Sequence, residues 1–295
     1  MATGNTLSVE SVLDDDTYFV KSYDVFKGRY KMPTGPDWAT EIIAKIDTRI
    51  IQSVKESTGR TLKALGIGTG NGRKEDFFVS HFQAHFDEVH QCILEPNKDM
   101  INQHKANVSQ NELKGVTYEW REQRLEEFMT SQKEDEKYHF ITAIHSLYHV
   151  HNLDEALGFL YDKLEENGIL LMVLGIDTGL FARVSSIIPS QYNRVVSFST
   201  RSLLDCFRTR GISCEVHNYP LPGIDLSGCL DNDSNDGSML LDFLTHVKGF
   251  TKAPFESGMK EEVFATIRET EMEAKSLIDV EAHEVVIVQK KNHKN

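Results

Sequence analysis

The chain reads as an α/β protein: a doubly wound, seven-stranded and mostly parallel sheet with helices on both faces. Three observations predict this. Short apolar runs alternate with helical patterns from residue 62 onward, a glycine-rich turn follows the first run, and a Val/Ile-rich run stands near residue 286. Strands separated by helices favour parallel pairing with crossover connections, because each strand must then be covered on both faces.

The elements follow in order. Residues 37–58 place Ile42, Ile43, Ile46, Ile50 and Ile51 on one side at helical spacing, which predicts an amphipathic helix leading into the core. Strands are expected at Leu62–Ile67, Val89–Leu94, Val116–Trp120, His139–Ile144, Ile169–Gly175 and Ile212–His217, and Glu284–Gln289 is expected to close the sheet. Residues 37–220 and 283–291 therefore form the core of one domain spanning 1–295. Two stretches fall outside the alternation, 1–36 and 221–282. Ligands of open α/β sheets lie beyond the carboxyl ends of the strands, where extra segments commonly form a cap, so both stretches are assigned to substrate binding.

Composition narrows the function. With 295 residues, 40% hydrophobic and 26% charged, the chain holds one core plus additions. No run approaches the roughly 20 apolar residues that span a bilayer, and residues 1–16 lack a basic region followed by an apolar one. No membrane association is expected. Cys92, Cys206, Cys214 and Cys229 are scattered without a CxxC pair, which predicts reduced thiols in a cytoplasmic setting and no metal. A formal net charge of −13 repels phosphate backbones, so nucleic acid is not an expected partner. A monomer acting on a small molecule is expected.

The turn Gly68-Thr69-Gly70-Asn71-Gly72 follows the first strand and precedes a helix, where glycine permits positive φ and lets backbone approach a nucleotide. Three cofactor classes compete for it. A triphosphate loop needs Gly-Lys-Ser or Gly-Lys-Thr, and Gly72 is followed by Arg73-Lys74-Glu75. A dinucleotide fingerprint needs GxGxxG, and its third position holds Arg73. GxGxG from Gly68 to Gly72 is the spacing of a methyltransferase loop, although an ordinary strand-to-helix turn carries the same glycines. The second strand ends at Glu95, where a carboxylate can accept both hydroxyls of a ribose. After the third strand, Gln123 is placed to pair with an adenine amino group and Leu125 to pack on its ring. The fourth strand delivers Ile144 toward the cofactor, with His145 and Tyr148 facing an acceptor.

Taken together, these residues resemble the histamine N-methyltransferase family. The likeness runs through Tyr18–Tyr23, Ile67–Gly72, Glu95-Pro96, Ile144–Val150, Asp225–Cys229 and Gly237–Thr245, the last two being the most specific. It implies a Rossmann-like class I methyltransferase with a small substrate-binding cap, S-adenosylmethionine as cofactor, and methyl transfer to an imidazole ring nitrogen. Its cofactor positions correspond to Gly68, Glu95 and Ile144, and also to Met100 and Leu125, where the family has glutamine and serine. The family's ammonium-binding glutamate has no counterpart in Gly28–Pro33, its two tryptophan walls fall at Leu180 and Val184, and its C-terminal asparagine falls at Glu281. Glu281 is thereby a candidate ammonium partner, beside Phe19, Tyr23, Phe26 and His149 as substrate contacts. An imidazole dipeptide acceptor, a non-catalytic cofactor-binding homologue and, behind these, an NAD-dependent oxidoreductase are the alternatives.

Methyl transfer from a sulfonium needs alignment of nitrogen, methyl and sulfur at about 3–3.5 Å and exclusion of water. A neutral imidazole already offers a lone pair, so His145 and Tyr148 are expected to position the acceptor rather than act as strong bases.

Overall fold

The computed structural model describes residues 9–30, 37–131, 135–195, 199–221, 223–231, 233–255, 258–275 and 282–291. The helices are α1 (Asp16–Arg29), α2 (Trp38–Ser57), α3 (Arg73–Gln83), α4 (Lys98–Gln110), α5 (Leu125–Ser131), α6 (Leu153–Asp162), α7 (Leu180–Ile187), α8 (Ser190–Asn193), α9 (Thr200–Thr209), α10 (Asn235–Thr245) and α11 (Met259–Lys275). The strands are β1 (Thr61–Ile67), β2 (Glu88–Leu94), β3 (Val116–Arg121), β4 (Tyr138–Ile144), β5 (Leu164–Gly175), β6 (Cys214–Pro220) and β7 (Ala282–Gln289). They form one seven-stranded sheet in the order β3-β2-β1-β4-β5-β7-β6.

β1 pairs in parallel with β2 and β4, β2 with β3, and β4 with β5. The order reverses direction beside β1, the place where doubly wound sheets bind ligands. β7 runs antiparallel to β5: Lys290 N–H donates to Gly168 O and Asn167 N–H to Lys290 O at one end, while Ile176 N–H donates to Ala282 O at the other. The seven expected strands are all present, with two differences. β7 is inserted between β5 and β6, where Val285 to Val288 are fully buried. β6 begins at Cys214 rather than Ile212, because an edge strand buried on few positions has no continuous apolar run to mark its ends.

The described residues fall into two compact units, drawn from 1–33, 175–197 and 220–283, and from 34–174, 198–219 and 284–295. The second holds the sheet. Side chains alternate across it with a period of two: Leu65, Ile67, Leu94 and Ile141 pack with Leu157 of α6 and Phe207 of α9, whereas Leu62, Val89, Phe140 and Val173 pack with Ile46 and Ile50 of α2 and Phe78 and Phe82 of α3. Helix α2 starts where Asp37 accepts the Ala39 N–H, and its isoleucine stripe is buried as its spacing predicts.

The first unit has its own core, built from Leu180 and Val184 of α7, Leu240, Leu241 and Leu244 of α10, Phe250, and Val263 and Ile267 of α11. Arg183 joins α7 to α11 through Glu269 at 2.8 Å and Glu273 at 2.9 Å. Among the described residues, no helix is long and apolar enough to cross a membrane, and all four cysteines are free thiols.

Candidate cofactor site at the carboxyl edge of the sheet

Register decides which residues meet. Ile67 is opposite Leu94 and also opposite Ala143, and Leu94 is opposite Arg121. Parallel strands in register end together, so Gly68, Glu95, Glu122 and Ile144 leave the same edge of the sheet. Two further bonds extend the ladders past the strands: Gly68 N–H to Leu94 O at 2.7 Å and Glu95 N–H to Arg121 O at 3.1 Å.

The turn itself is built on three left-handed glycines, with φ of 58° at Gly68, 56° at Gly70 and 80° at Gly72. The reasons for glycine differ. A Cβ at Gly68 would lie 2.5 Å from Ser146 Cβ, and one at Gly72 would lie 2.0 Å from the His104 ring, so both positions are sterically closed. A Cβ at Gly70 would meet nothing within 4 Å. Glycine there serves the backbone conformation and leaves the peptide open to a ligand.

Glu95 turns toward this bend. Its side chain is 6% exposed; Oε2 accepts the Gly70 N–H at 2.7 Å and Oε1 accepts the Asn97 N–H at 2.8 Å. A carboxylate has about four acceptor sites, and the two backbone N–H groups fix the orientation of this one. On the segments leaving β1, β3 and β4, Thr69 Oγ1, Gln123 Nε2 and Ser146 Oγ are buried polar atoms without a hydrogen-bond partner among the described residues. Buried polar groups are normally paired, so these atoms are candidates to bond a polar ligand at this edge of the sheet.

At the end of β4, His145 has φ 51° while its N–H stays bonded to Val173 O at 2.9 Å. This left-handed turn costs a non-glycine residue about 1–2 kcal/mol and presents the exposed imidazole. Nδ1 of that ring lies 3.3 Å from the Tyr148 hydroxyl, with the two rings stacked at 6.3 Å and 22°. Tyr148 is half-buried against the apolar cluster of α6, and Ile144 and His149 are half-buried nearby in sequence.

The residue profile of the methyltransferase domain matches residues 41–215, more than half of the chain. The chain belongs to that family. It is an S-adenosylmethionine-dependent methyltransferase, and the residues at the sheet edge fit that cofactor: Glu95 for the ribose diol, the open Gly70 peptide for close approach, and Gln123, whose Nε2 has no hydrogen-bond partner among the described residues. Arg73 opens α3 where a dinucleotide loop needs its third glycine, so the nicotinamide alternative has no structural counterpart.

Relatives extend beyond the domain. Histamine N-methyltransferase of Bos taurus is 26% identical over 280 residues, covering 91% of this chain and 93% of its own. The Rattus norvegicus enzyme of the same name is 27% identical over 285 residues, covering 90% and 92%. Carnosine N-methyltransferase 2 of Gallus gallus is 28% identical over 202 residues, 64% of this chain and 62% of its own. Among solved structures, a putative sarcosine dimethylglycine methyltransferase from Galdieria sulphuraria superposes with a TM-score of 0.52 at 13% identity, over 93% of this chain and 98% of that one, which shows a shared fold.

The structure gathers most of the sequence-predicted residues in the sheet-bearing unit: Gly68, Thr69, Gly70, Gly72, Glu95, Gln123, Ile144, His145, Tyr148 and His149. Met100 and Leu125 are there too, 3% and 5% exposed, Met100 giving its N–H to the helix cap Asn97 and Leu125 joining the apolar cluster of β1 and β4. Phe19 and Tyr23 belong to the other unit, where their rings lie 5.8 and 5.7 Å from that of Phe243, and Phe26 lies 4.5 Å from it. Leu180 and Val184, at the tryptophan positions of the resembled family, are core residues of that unit. Glu281 lies outside the described residues.

Three residues carry no signal in the sequence that singles them out. Ser146 sits inside the Ile144–Val150 motif and touches the space of Gly68. His104, wholly buried with Nε2 2.9 Å from Asp76 Oδ1, backs Gly72. Glu75, the third residue of α3, is a buried acid beneath the turn.

Proposed function

We propose that this protein transfers the methyl group of S-adenosylmethionine to a ring nitrogen of a small imidazole-containing amine of the histamine type, working as a cytoplasmic monomer. The observation that carries this reading is the likeness to histamine N-methyltransferases over nine-tenths of the chain, well outside the matched domain.

The cofactor supplies an electrophilic methyl on a sulfonium. The chain's own groups do the rest. Glu95 and the Gly68–Gly72 backbone would hold the adenosine end, and fixing it would remove much of the entropic barrier to an in-line displacement. Imidazole arrives as a neutral ring with one lone pair and one N–H. The His145–Tyr148 pair is suited to accept that N–H, which orients the lone pair, and then to pass on the proton that the methylated ring no longer needs. A neutral ring nitrogen needs no deprotonation before it accepts a methyl group, so no oxyanion stabiliser or strong base is required of the chain.

An imidazole dipeptide is the second reading, favoured by the carnosine N-methyltransferase relative and by the lack of an acid in Gly28–Pro33. Purified protein incubated with S-adenosylmethionine and either histamine, carnosine or simple biogenic amines decides between them by S-adenosylhomocysteine release. Turnover with histamine supports the first reading, turnover restricted to the dipeptide supports the second, and cofactor binding without turnover of any imidazole indicates a non-catalytic homologue.

A further inference from the structure

One buried acid beneath the glycine turn is unused by the chemistry above. Glu75 is 4% exposed, and Gly66 in β1 makes room for it: a Cβ at Gly66 would lie 3.1 Å from Glu75 Cγ, 2.6 Å from Thr69 Cγ2 and 3.4 Å from Gln91 Nε2. Glu75 of α3, Thr69 of the turn and Gln91 of β2 thus share the space that a Cβ on Gly66 of β1 would fill, and Thr142 of β4 acts on the Glu75 carboxyl by favouring its charged form. The charges that act on it most are acids, Asp76 on its own helix and Glu95 at the tip of β2. Asp76 is engaged by His104, and Glu95 by the Gly70 and Asn97 N–H groups.

Burial and these two acids push the Glu75 carboxyl up to about 8, against the opposing pull of its own N–H at the start of α3. In the free protein at neutral pH it therefore carries its proton. S-adenosylmethionine brings a sulfonium and an ammonium against one carboxylate, a net charge of about +1, whereas S-adenosylhomocysteine has lost the sulfonium charge. An opposite charge brought within about 4–6 Å lowers a carboxyl pKa by about 1–3 units.

We propose that Glu75 is the buried counter-charge of the cofactor cleft, neutral when the cleft is free, ionised when the sulfonium cofactor is held, and neutral again once the sulfonium has become a thioether. The proposal rests on the methyl-transfer reading. Its proton balance is closed: the Glu75 O–H bond breaks on cofactor binding and the proton goes to solvent, and one proton returns from solvent when the product complex forms. The cleft then grips substrate cofactor more tightly than its product, a preference that Glu95 cannot supply because both ligands share the same ribose.

The test counts protons. Calorimetric titrations of S-adenosylmethionine and of S-adenosylhomocysteine into the full chain at pH 7, in phosphate and in Tris, give the protons released on binding. The amino and carboxyl groups are common to both ligands, so their contribution cancels. We expect about 0.4–0.9 more proton released by S-adenosylmethionine at pH 7, and an affinity for it that rises up to about tenfold per pH unit below pH 8 relative to that for S-adenosylhomocysteine. In Glu75→Gln, which keeps the shape and a hydrogen bond, both differences vanish. Equal proton release by the two ligands in the unaltered protein, or an undiminished difference in Glu75→Gln, overturns the proposal. Should that variant not fold, infrared difference spectra of the unaltered protein carry the test: the carbonyl band of a protonated buried carboxyl is lost with S-adenosylmethionine and kept with S-adenosylhomocysteine, and its persistence with both overturns the idea. Absence of binding by either ligand removes the methyl-transfer reading itself, and the counter-charge with it.

Discussion

Two buried acids, one in each compact unit, are treated by their surroundings in opposite ways. Asp242 in α10 is 3% exposed and accepts the Gly249 N–H at 2.6 Å, the Phe250 N–H at 3.0 Å and the Tyr18 hydroxyl at 2.7 Å. Glu75 is as deeply buried, yet its strongest charged neighbours are acids, Asp76 and Glu95. Burial raises both carboxyls, but three donors and Lys248 oppose the rise at Asp242. Donors favour the charged form and desolvation disfavours it. An acid surrounded by donors clamps α1, α10 and the following turn together; one surrounded by acids remains sensitive to an arriving cation.

The largest effect that tests this contrast belongs to the clamp. Asp242→Ala leaves two backbone N–H groups and a phenol without their acceptor, each costing about 1–3 kcal/mol before relaxation. We expect a loss of about 3–5 kcal/mol in urea unfolding. A loss below about 1 kcal/mol would show that water replaces the carboxylate and that the clamp is idle.

Glu75 should act on stability with the opposite character, through pH. Its folded-state pKa of about 8 lies above the ordinary value of 4.5, so its favourable contribution is fully present below pH 4.5 and is lost as pH rises through 8. Cofactor-free protein should therefore lose on the order of a few kcal/mol across that window relative to Glu75→Gln, compared as the slopes of stability against pH. Parallel slopes would mean that Glu75 is ionised in the folded state and no different in kind from Asp242.

Glu95 provides the reference inside the same cleft. Glu95→Ala should cost about 1.5–3 kcal/mol of affinity, roughly ten- to a hundredfold, for S-adenosylmethionine and S-adenosylhomocysteine alike. Calorimetry on both ligands makes the distinction: an equal loss assigns Glu95 to the ribose, and a loss confined to the sulfonium ligand would make Glu95, rather than Glu75, the counter-charge of the cleft.

This contrast also explains what was legible in the sequence. The sheet was readable because strands buried on both faces are continuous apolar runs, and the meeting of Gly68 with Glu95 follows from parallel register alone. β6 starts later than its pattern suggests because half its side chains face outward. Glu75 does not stand out because Glu75 and Asp76 look alike as first-turn acids favoured by a helix N-terminus; only the missing Cβ of Gly66, nine residues earlier, distinguishes them. Asp242 and Phe243 lie within the Asp-Phe-Leu-Thr segment, outside the matched domain, but their partners, Tyr18, Phe19 and Tyr23, are more than 200 residues away in sequence. A contact of that span leaves no periodic trace in the chain.

The smallest expected effect concerns the helix that the Asp242 clamp holds. Gly28 lies in the last turn of α1, without a positive φ and with nothing within 4 Å of an added Cβ. Alanine there can neither clash nor fill a gap, so its effect comes from helix propensity and from the narrower conformational freedom of the unfolded chain. Both favour Gly28→Ala, by about 0.5–1 kcal/mol. Glycines of the cofactor turn offer the opposite case, since Gly70, equally free of neighbours but at φ 56°, should lose about 1–2 kcal/mol on the same substitution. Chemical unfolding of the two variants side by side isolates backbone conformation from packing. A destabilised Gly28→Ala would place a conformational demand at the end of α1 that its helical backbone does not show.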